Sequence, residues 1–287
     1  MPTPRIASGD YEVGLDPADG GGVIFLRHRG VDLLRPAPQL RTGPLDLSCF
    51  ALVPYANRIA HGRFVWEGRE VLIAPNMRGD ASPMHGDGWL SAWSVAQVAD
   101  DRIVLELRHA AGAWPWSYLA RQTIHADPRG VSFELELTNL SAEAMPVGLG
   151  YHPYFPGRAD ARLRADVQAV WLTDEELLPT RLAPADTFGD WAAGAPLASP
   201  TLIDNCHTGW AGPAEITLAD RGLTVRMSAT GSLHWLHVFS PPGESFFAVE
   251  PVSHRPDALN AESPTAEGVI ILPPGASHAA GMRIEVV

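Results

Sequence analysis

Val131-Ser132-Phe133-Glu134-Leu135-Glu136-Leu137-Thr138 reads as a β-strand buried on one side. Val131, Phe133, Leu135 and Leu137 fall on one face and the polar residues on the other, which is the two-residue period of a strand. Just upstream, Asp127-Pro128-Arg129-Gly130 supplies turn chemistry, and 118–125 is a second strand-like run, so the pair predicts an antiparallel hairpin. The same grammar recurs along the chain. Runs 23–28 and 31–34 flank Arg29-Gly30, and 63–66 and 69–73 flank Glu67-Gly68. Runs 93–98 and 102–109 flank Asp100-Asp101, and 215–218 and 223–227 flank Asp220-Arg221-Gly222. Helical periodicity is nearly absent, and 27 Gly and 26 Pro scattered through 287 residues leave long helices little room. The pattern predicts an all-β chain: one large antiparallel β-sandwich domain over 1–287, with a concave face lined by side chains. Two segments break the pattern. Residues 35–57 carry proline and little periodicity, and 178–210, rich in Pro, Ala, Gly and Asp, read as a long surface excursion.

Composition narrows the function. At 46% hydrophobic residues a large core is easily built. No apolar run reaches about 18 residues, so no membrane span is expected, and the first residues lack an apolar signal region, which points to a cytoplasmic protein. A formal net charge of −12 argues against a nucleic-acid partner. All 21 basic residues are arginine. Without lysine, Schiff-base chemistry and the phosphate-binding loop ending in Lys-Ser/Thr are excluded. Cys49 and Cys206 are too few for a disulfide framework, lack metal-site spacing, and read as small buried hydrophobes.

Ionisable residues stand out at five places. His152 sits in Gly150-Tyr151-His152-Pro153-Tyr154-Phe155, where proline biases it toward extended backbone and the aromatics offer an apolar wall. A general acid or base wants such a setting; a core histidine satisfied by a carbonyl is the plainer reading. Glu250 ends the apolar run Phe246-Phe247-Ala248-Val249, where a carboxylate is costly to bury unless paired or used, and where burial makes it a stronger base. Its plainer reading is a strand end meeting water. His85 precedes Gly86 and reads equally as a turn residue, Arg58 as a solvated surface arginine, and Asp204 with Asn205 as an Asx-turn. His61, His234, His237 and His254 are also available, so histidines alone do not choose a site.

Taken together these segments resemble the aldose 1-epimerase (galactose mutarotase) family. The resemblance runs in family order through Asn57-Arg58-Ile59 with Gly62-Arg63-Phe64 and Gly68, then Asn76 with His85-Gly86 and Trp93. It continues through His152-Pro153-Tyr154-Phe155, Asp204, Glu250-Pro251 and Pro256-Asp257-Ala258-Leu259-Asn260. It implies a β-sandwich that interconverts the α and β anomers of an aldose without cofactor or metal. Glu250 would be the general base on the anomeric hydroxyl and His152 the general acid on the ring oxygen. His85 would bond the sugar near the reacting oxygens, and Arg58 and Asp204, with Asn57 beside them, would bind ring hydroxyls. The ordinary values of about 4.3 for Glu and 6.5 for His suit one carboxylate and one imidazolium. Trp66, Trp89 and Tyr154 are candidates to stack on the sugar. Pro153, directly after His152, departs from the pattern, so fine geometry there is not carried over.

Three alternatives stand beside this expectation. One is an anionic substrate, such as a hexose 6-phosphate or sulfo-sugar, with Arg27, Arg29, Arg78, Arg158 or Arg255 as its cation. Another is a non-catalytic carbohydrate-binding module on the same fold. The last is a metal site from His85, His152 and Glu250, which no His-x-x-x-His or His-x-His spacing supports. The expected partner is a small aldose, with oligomeric state open between monomer and weak dimer.

Overall fold

A computed structural model describes residues 3–287. Among them no helix exceeds a three-residue 3-10 turn, and none is long and apolar enough to cross a membrane. Two large antiparallel sheets dominate. The nine-stranded one runs, in spatial order, Ala195–Pro196, Ala161–Arg164, Ala214–Leu218, Leu223–Thr230, Ser277–Val286, Gly130–Asn139, Tyr118–Asp127, Arg102–His109 and Ser94–Val98. The predicted hairpin lies in it, Tyr118–Asp127 pairing with Gly130–Asn139 over their full length. Val131, Phe133, Leu135 and Leu137 are all buried in the core, as their period requires, at a typical gain of roughly 1.5–3 kcal/mol per large side chain. The other predicted hairpins are also paired, including Arg63–Trp66 with Arg69–Leu72 across Glu67-Gly68.

The second sheet carries the cavity. Its eight strands are, in chain order, β1 (Ala51–Leu52), β2 (Gly150–Tyr151), β3 (Tyr154–Pro156), β4 (Ala169–Thr173), β5 (Pro179–Pro184), β6 (Ile203–Thr208), β7 (Trp235–Ser240) and β8 (Phe246–Val252). In space the order is β5-β4-β6-β7-β8-β2-β1, with β3 also on β8. Register decides which face each side chain takes. On β7, β8 and β3 the alternate residues Val238, Val249, Phe247 and Phe155 enter the main core. The residues between them point to the other face of the sheet.

Two expectations need correction. Residues 178–210 are a surface excursion only in part: 178–190 stay exposed or half-buried, but the segment contributes β5, Ala195–Pro196 and the interior strand β6, and buries Trp191, Leu197 and Trp210. Gly189, Gly194, Asp186, Asp190 and Pro200 sit in the connecting segments, while Pro179, Pro184, Pro196 and Asp204 lie within the strands themselves, so the strands carry residues that ordinarily mark turns. Segment 35–57 is largely irregular as expected, yet it supplies β1 and much of one cavity wall.

Candidate active site

Three adjacent strands place the acidic wall of the site. Cys206 on β6 lies opposite His237 on β7, and His237 lies opposite Glu250 on β8. Asp204, two residues before Cys206, faces the same way. Asp204 is therefore a strand residue and buried, and the sequence expectation of a loop position fails. Glu250 is only 2% exposed, which removes the reading of a strand end in water.

His152 falls between β2 and β3, and its backbone N–H donates to the Phe50 carbonyl at 3.0 Å. Its ring packs against Phe50 at 4.8 Å and Tyr154 at 4.4 Å between centroids, and edge-on to His85 at 5.3 Å. His152 Nε2 comes to 3.2 Å from Glu250 Oε1. His152 Nδ1 and Glu250 Oε2 are buried with no partner in the protein.

The opposite wall comes from two loops. Asn57 adopts the left-handed conformation (φ 57°), and its Oδ1 accepts from the Arg58 backbone N–H at 2.8 Å. The Asn57 N–H donates to His85 Nδ1 at 3.1 Å. That bond fixes the tautomer: Nδ1 accepts, so the ring proton sits on Nε2. Burial and the Arg58 charge lower His85 to about 3, so it is a neutral donor. Gly86 holds the loop, because at φ +70° a Cβ would lie 2.0 Å from the Val53 carbonyl oxygen. Arg58, 7% exposed, donates from Nε to Asp80 Oδ2 at 2.9 Å and has Nη1 3.8 Å from Asp204 Oδ2. It is no surface arginine.

Asn57, Arg58, His85, His152, Asp204 and Glu250 all line one cavity of about 340 Å³. Three further lining residues had no distinguishing sequence signal. His237 was one histidine among several; only strand register sets it beside Glu250, with Nε2 2.6 Å from Asp204 Oδ1. Arg35 lies over the rings of Tyr154 and Phe246, 4.0 and 4.4 Å from their centroids. Phe239 follows His237 by two on the same face. Of the proposed stacking aromatics only Tyr154 lines the cavity; Trp89 packs behind Phe50, and Trp66 belongs to the main core. The other histidines have separate duties. His254 Nε2 accepts from the Ala56 N–H at 3.1 Å and bonds the Arg255 carbonyl through Nδ1, tying down the loop before Asn57. His61 is exposed beside Glu176. Among the described residues no three His, Cys, Asp or Glu side chains converge as a metal site would require.

Burial reverses the charge order expected from ordinary values. Loss of water disfavours both charged forms, so Glu250 rises to about 8 and His152 falls well below its usual range. Both shifts favour the uncharged forms, so the pair holds one proton near neutral pH, on the carboxyl rather than on the imidazole. His237 behaves oppositely: despite burial, Glu250 and Asp204 hold it well above the usual imidazole range. Asp204 is kept below the ordinary carboxylate range by His237 and Arg58, which together outweigh its burial.

A profile of the family described as aldose 1-epimerase matches residues 18–285. The chain belongs to the aldose 1-epimerase family. An Escherichia coli K12 relative, the uncharacterised protein YphB, is 35% identical over 284 residues, covering 95% of each chain. A solved E. coli K12 structure described as a candidate aldose 1-epimerase superposes with a TM-score of 0.91 at 32% identity, covering 99% of this chain and 98% of that one. A galactose mutarotase-like protein of Clostridium acetobutylicum shares the fold, with a TM-score of 0.86, 20% identity and coverage of 99% and 94%. Family membership carries an epimerase type of activity on a sugar substrate.

Proposed function

We propose that the protein is a mutarotase that opens and recloses an aldose ring by acid–base catalysis between Glu250 and His152. The observation that carries this reading is their separation. O1 and O5 are bonded to the same carbon, so the group taking a proton from one and the group giving a proton to the other have to be neighbours. His152 Nε2 and Glu250 Oε1, 3.2 Å apart at the cavity wall, meet that condition.

In the reaction Glu250 takes the O1 proton, C1=O forms, the C1–O5 bond breaks, and O5 receives the proton of His152. Rotation about C1–C2 presents the other face of the aldehyde, and the reverse transfers close the ring. The proton count balances because the pair starts and ends with one proton. The productive form has that proton on the imidazole. His85 offers a fixed neutral Nε2–H to the sugar oxygens. Arg58 supplies a donor fork and Asp204 the carboxylate oxygen that His237 does not occupy, a suitable set for vicinal hydroxyls. Tyr154 offers an apolar wall.

Arg35 favours a second reading, an anionic aldose. The five arginines proposed from sequence, Arg78 included, do not line the cavity: Arg27 pairs with Asp32, Arg29 with Asp10 and Arg255 with Glu267, while Arg158 bonds Ser240 and the Ser199 carbonyl. Arg35 does line it, tethered through Nη2 to the Leu45 and Leu47 carbonyls, with Asp46 nearby on the rim. The deciding experiment is an NMR or polarimetric anomerisation panel over neutral aldoses and their 6-phosphates and 6-sulfonates. Acceleration of at least one sugar is expected. Rates equal to the uncatalysed ones throughout would refute the enzyme and leave a binding module.

A further inference from the structure

A second buried histidine stands in the same row of the sheet as the proposed base. His237 is 3% exposed and lies directly opposite Glu250 in the β7–β8 ladder, where facing side chains are about 4.5–5.5 Å apart at Cβ. Its Nε2 is 2.6 Å from Asp204 Oδ1, and its Nδ1 has no partner in the protein. A neutral imidazole could serve Asp204 as a plain donor, but its other nitrogen would then be a buried acceptor beside an acidic wall. A doubly protonated ring instead places a positive charge between two carboxylates.

We propose that His237 is a positioning residue that acts through Glu250: held as a cation by Asp204, it keeps the facing carboxylate able to exist as an anion and accept the sugar's proton. This rests on the mutarotase reading above. The charged and titratable groups around His237 are Asp204, Cys206 and His207 from β6 and Glu250 from β8. Across the cavity stand His85, His152 and Arg58. Of these, only Arg58 is another full cation, and it is already shared between Asp80 and Asp204. His85 is held neutral by the Asn57 N–H and His152 by its apolar packing. Glu250 therefore has one adjacent strand from which a positive charge can reach it. His237 also opposes a proton on His152, but it faces Glu250 directly, so its net effect favours moving the shared proton from Glu250 to His152.

The consequence is specific. The pair is active while it holds one proton, so kcat/KM falls on the alkaline side when that last proton leaves. Removing a neighbouring cation makes the proton harder to lose. His237→Gln, which keeps a donor for Asp204, is expected to move the alkaline limb up by about one pH unit or more, the range that an opposite charge within a few Å produces. The plateau should fall several-fold. A purely structural histidine would lower the plateau and leave the limb in place, and that outcome overturns the proposal. If His237→Gln does not fold, the wild-type protein decides: ¹⁵N NMR of the His237 ring should show both nitrogens protonated at pH 7, and a neutral ring there overturns the proposal. The NMR arm needs no turnover. An inactive wild type would thus defeat the mutarotase reading, whereas a neutral His237 in an active enzyme would defeat only the present inference.

Discussion

Glu250→Gln tests the chemistry with the smallest change in shape. The amide fills the space of the carboxylate and keeps a polar group beside His152 Nε2, which lies 3.2 Å from Glu250 Oε1. Glu250 is 2% exposed and lines the cavity wall, so the substitution changes the chemistry there with little change in packing. The proton acceptor, however, is gone. A positioned acid–base group contributes roughly 10²- to 10⁴-fold, which at 1.36 kcal/mol per decade is about 3–5 kcal/mol of transition-state stabilisation. The expected variant folds, binds sugar within a few-fold of wild type, and loses kcat by at least about a hundredfold. Exchange between anomers followed by NMR saturation transfer, with the uncatalysed rate subtracted, measures the turnover; calorimetry measures binding. The wild-type pH profile belongs to the same test. With Glu250 raised to about 8 and His152 lowered, kcat/KM should be flat around pH 6–7 and fall above about 8. A Glu250→Gln enzyme retaining a tenth or more of wild-type kcat, with that alkaline limb intact, would refute the assignment.

Other consequences are independent of this one. His152→Gln should lower kcat by a similar factor of about 10²–10⁴ with sugar affinity kept; equal loss of both would return His152 to a binding role. Arg58→Gln should raise KM more than it lowers kcat, by roughly ten- to a hundredfold for a charged hydrogen bond worth about 1.5–3 kcal/mol, as read from saturation curves. If the substrate is anionic, Arg35→Gln should raise KM for it while leaving a neutral aldose unaffected, and equal effects on both would remove Arg35 from substrate selection. Acid should destabilise the fold. His85, His207 and His254 are lowered to about 3, 4 and 4, and His152 well below its usual value, all chiefly by burial. Below pH 6.5 the unfolded chain binds more protons at these sites than the fold does, so stability falls as pH falls. Glu250, raised to about 8, works the other way, since between its ordinary value and 8 the fold holds the extra proton. Near pH 5 the four imidazoles outnumber the one carboxyl, so the net effect is a loss of stability as pH falls. A melting temperature unchanged between pH 6.5 and 5 would contradict this.

Much of the fold was legible because it is local. Val131 to Leu137 alternate, Glu67-Gly68 and Asp127 to Gly130 are turn formers, and a strand's period of two declares which face is buried wherever one face is polar. Asp204 and residues 178–210 were misread because β6, buried on both faces, does not alternate, while β5 and Ala195–Pro196 are short and proline-bearing. The candidate site was partly legible. His152, Glu250, Arg58, His85, Asp204 and Asn57 could be singled out by their company in the sequence, and the structure brings all six to one cavity. Their charge states could not be read that way, since a pKa depends on how much water burial removes and on which charges come near through space. Nor could His237 or Arg35. The sequence by itself determined an antiparallel β-sandwich and the chemical kinds of residue available to its cavity. Only the tertiary structure decided that Glu250 is a buried, weakened acid beside His152. Register across β6, β7 and β8 sets His237 and Asp204 beside it, and pairing between strands about thirty and thirteen residues apart in sequence is a long-range fact that no local pattern records.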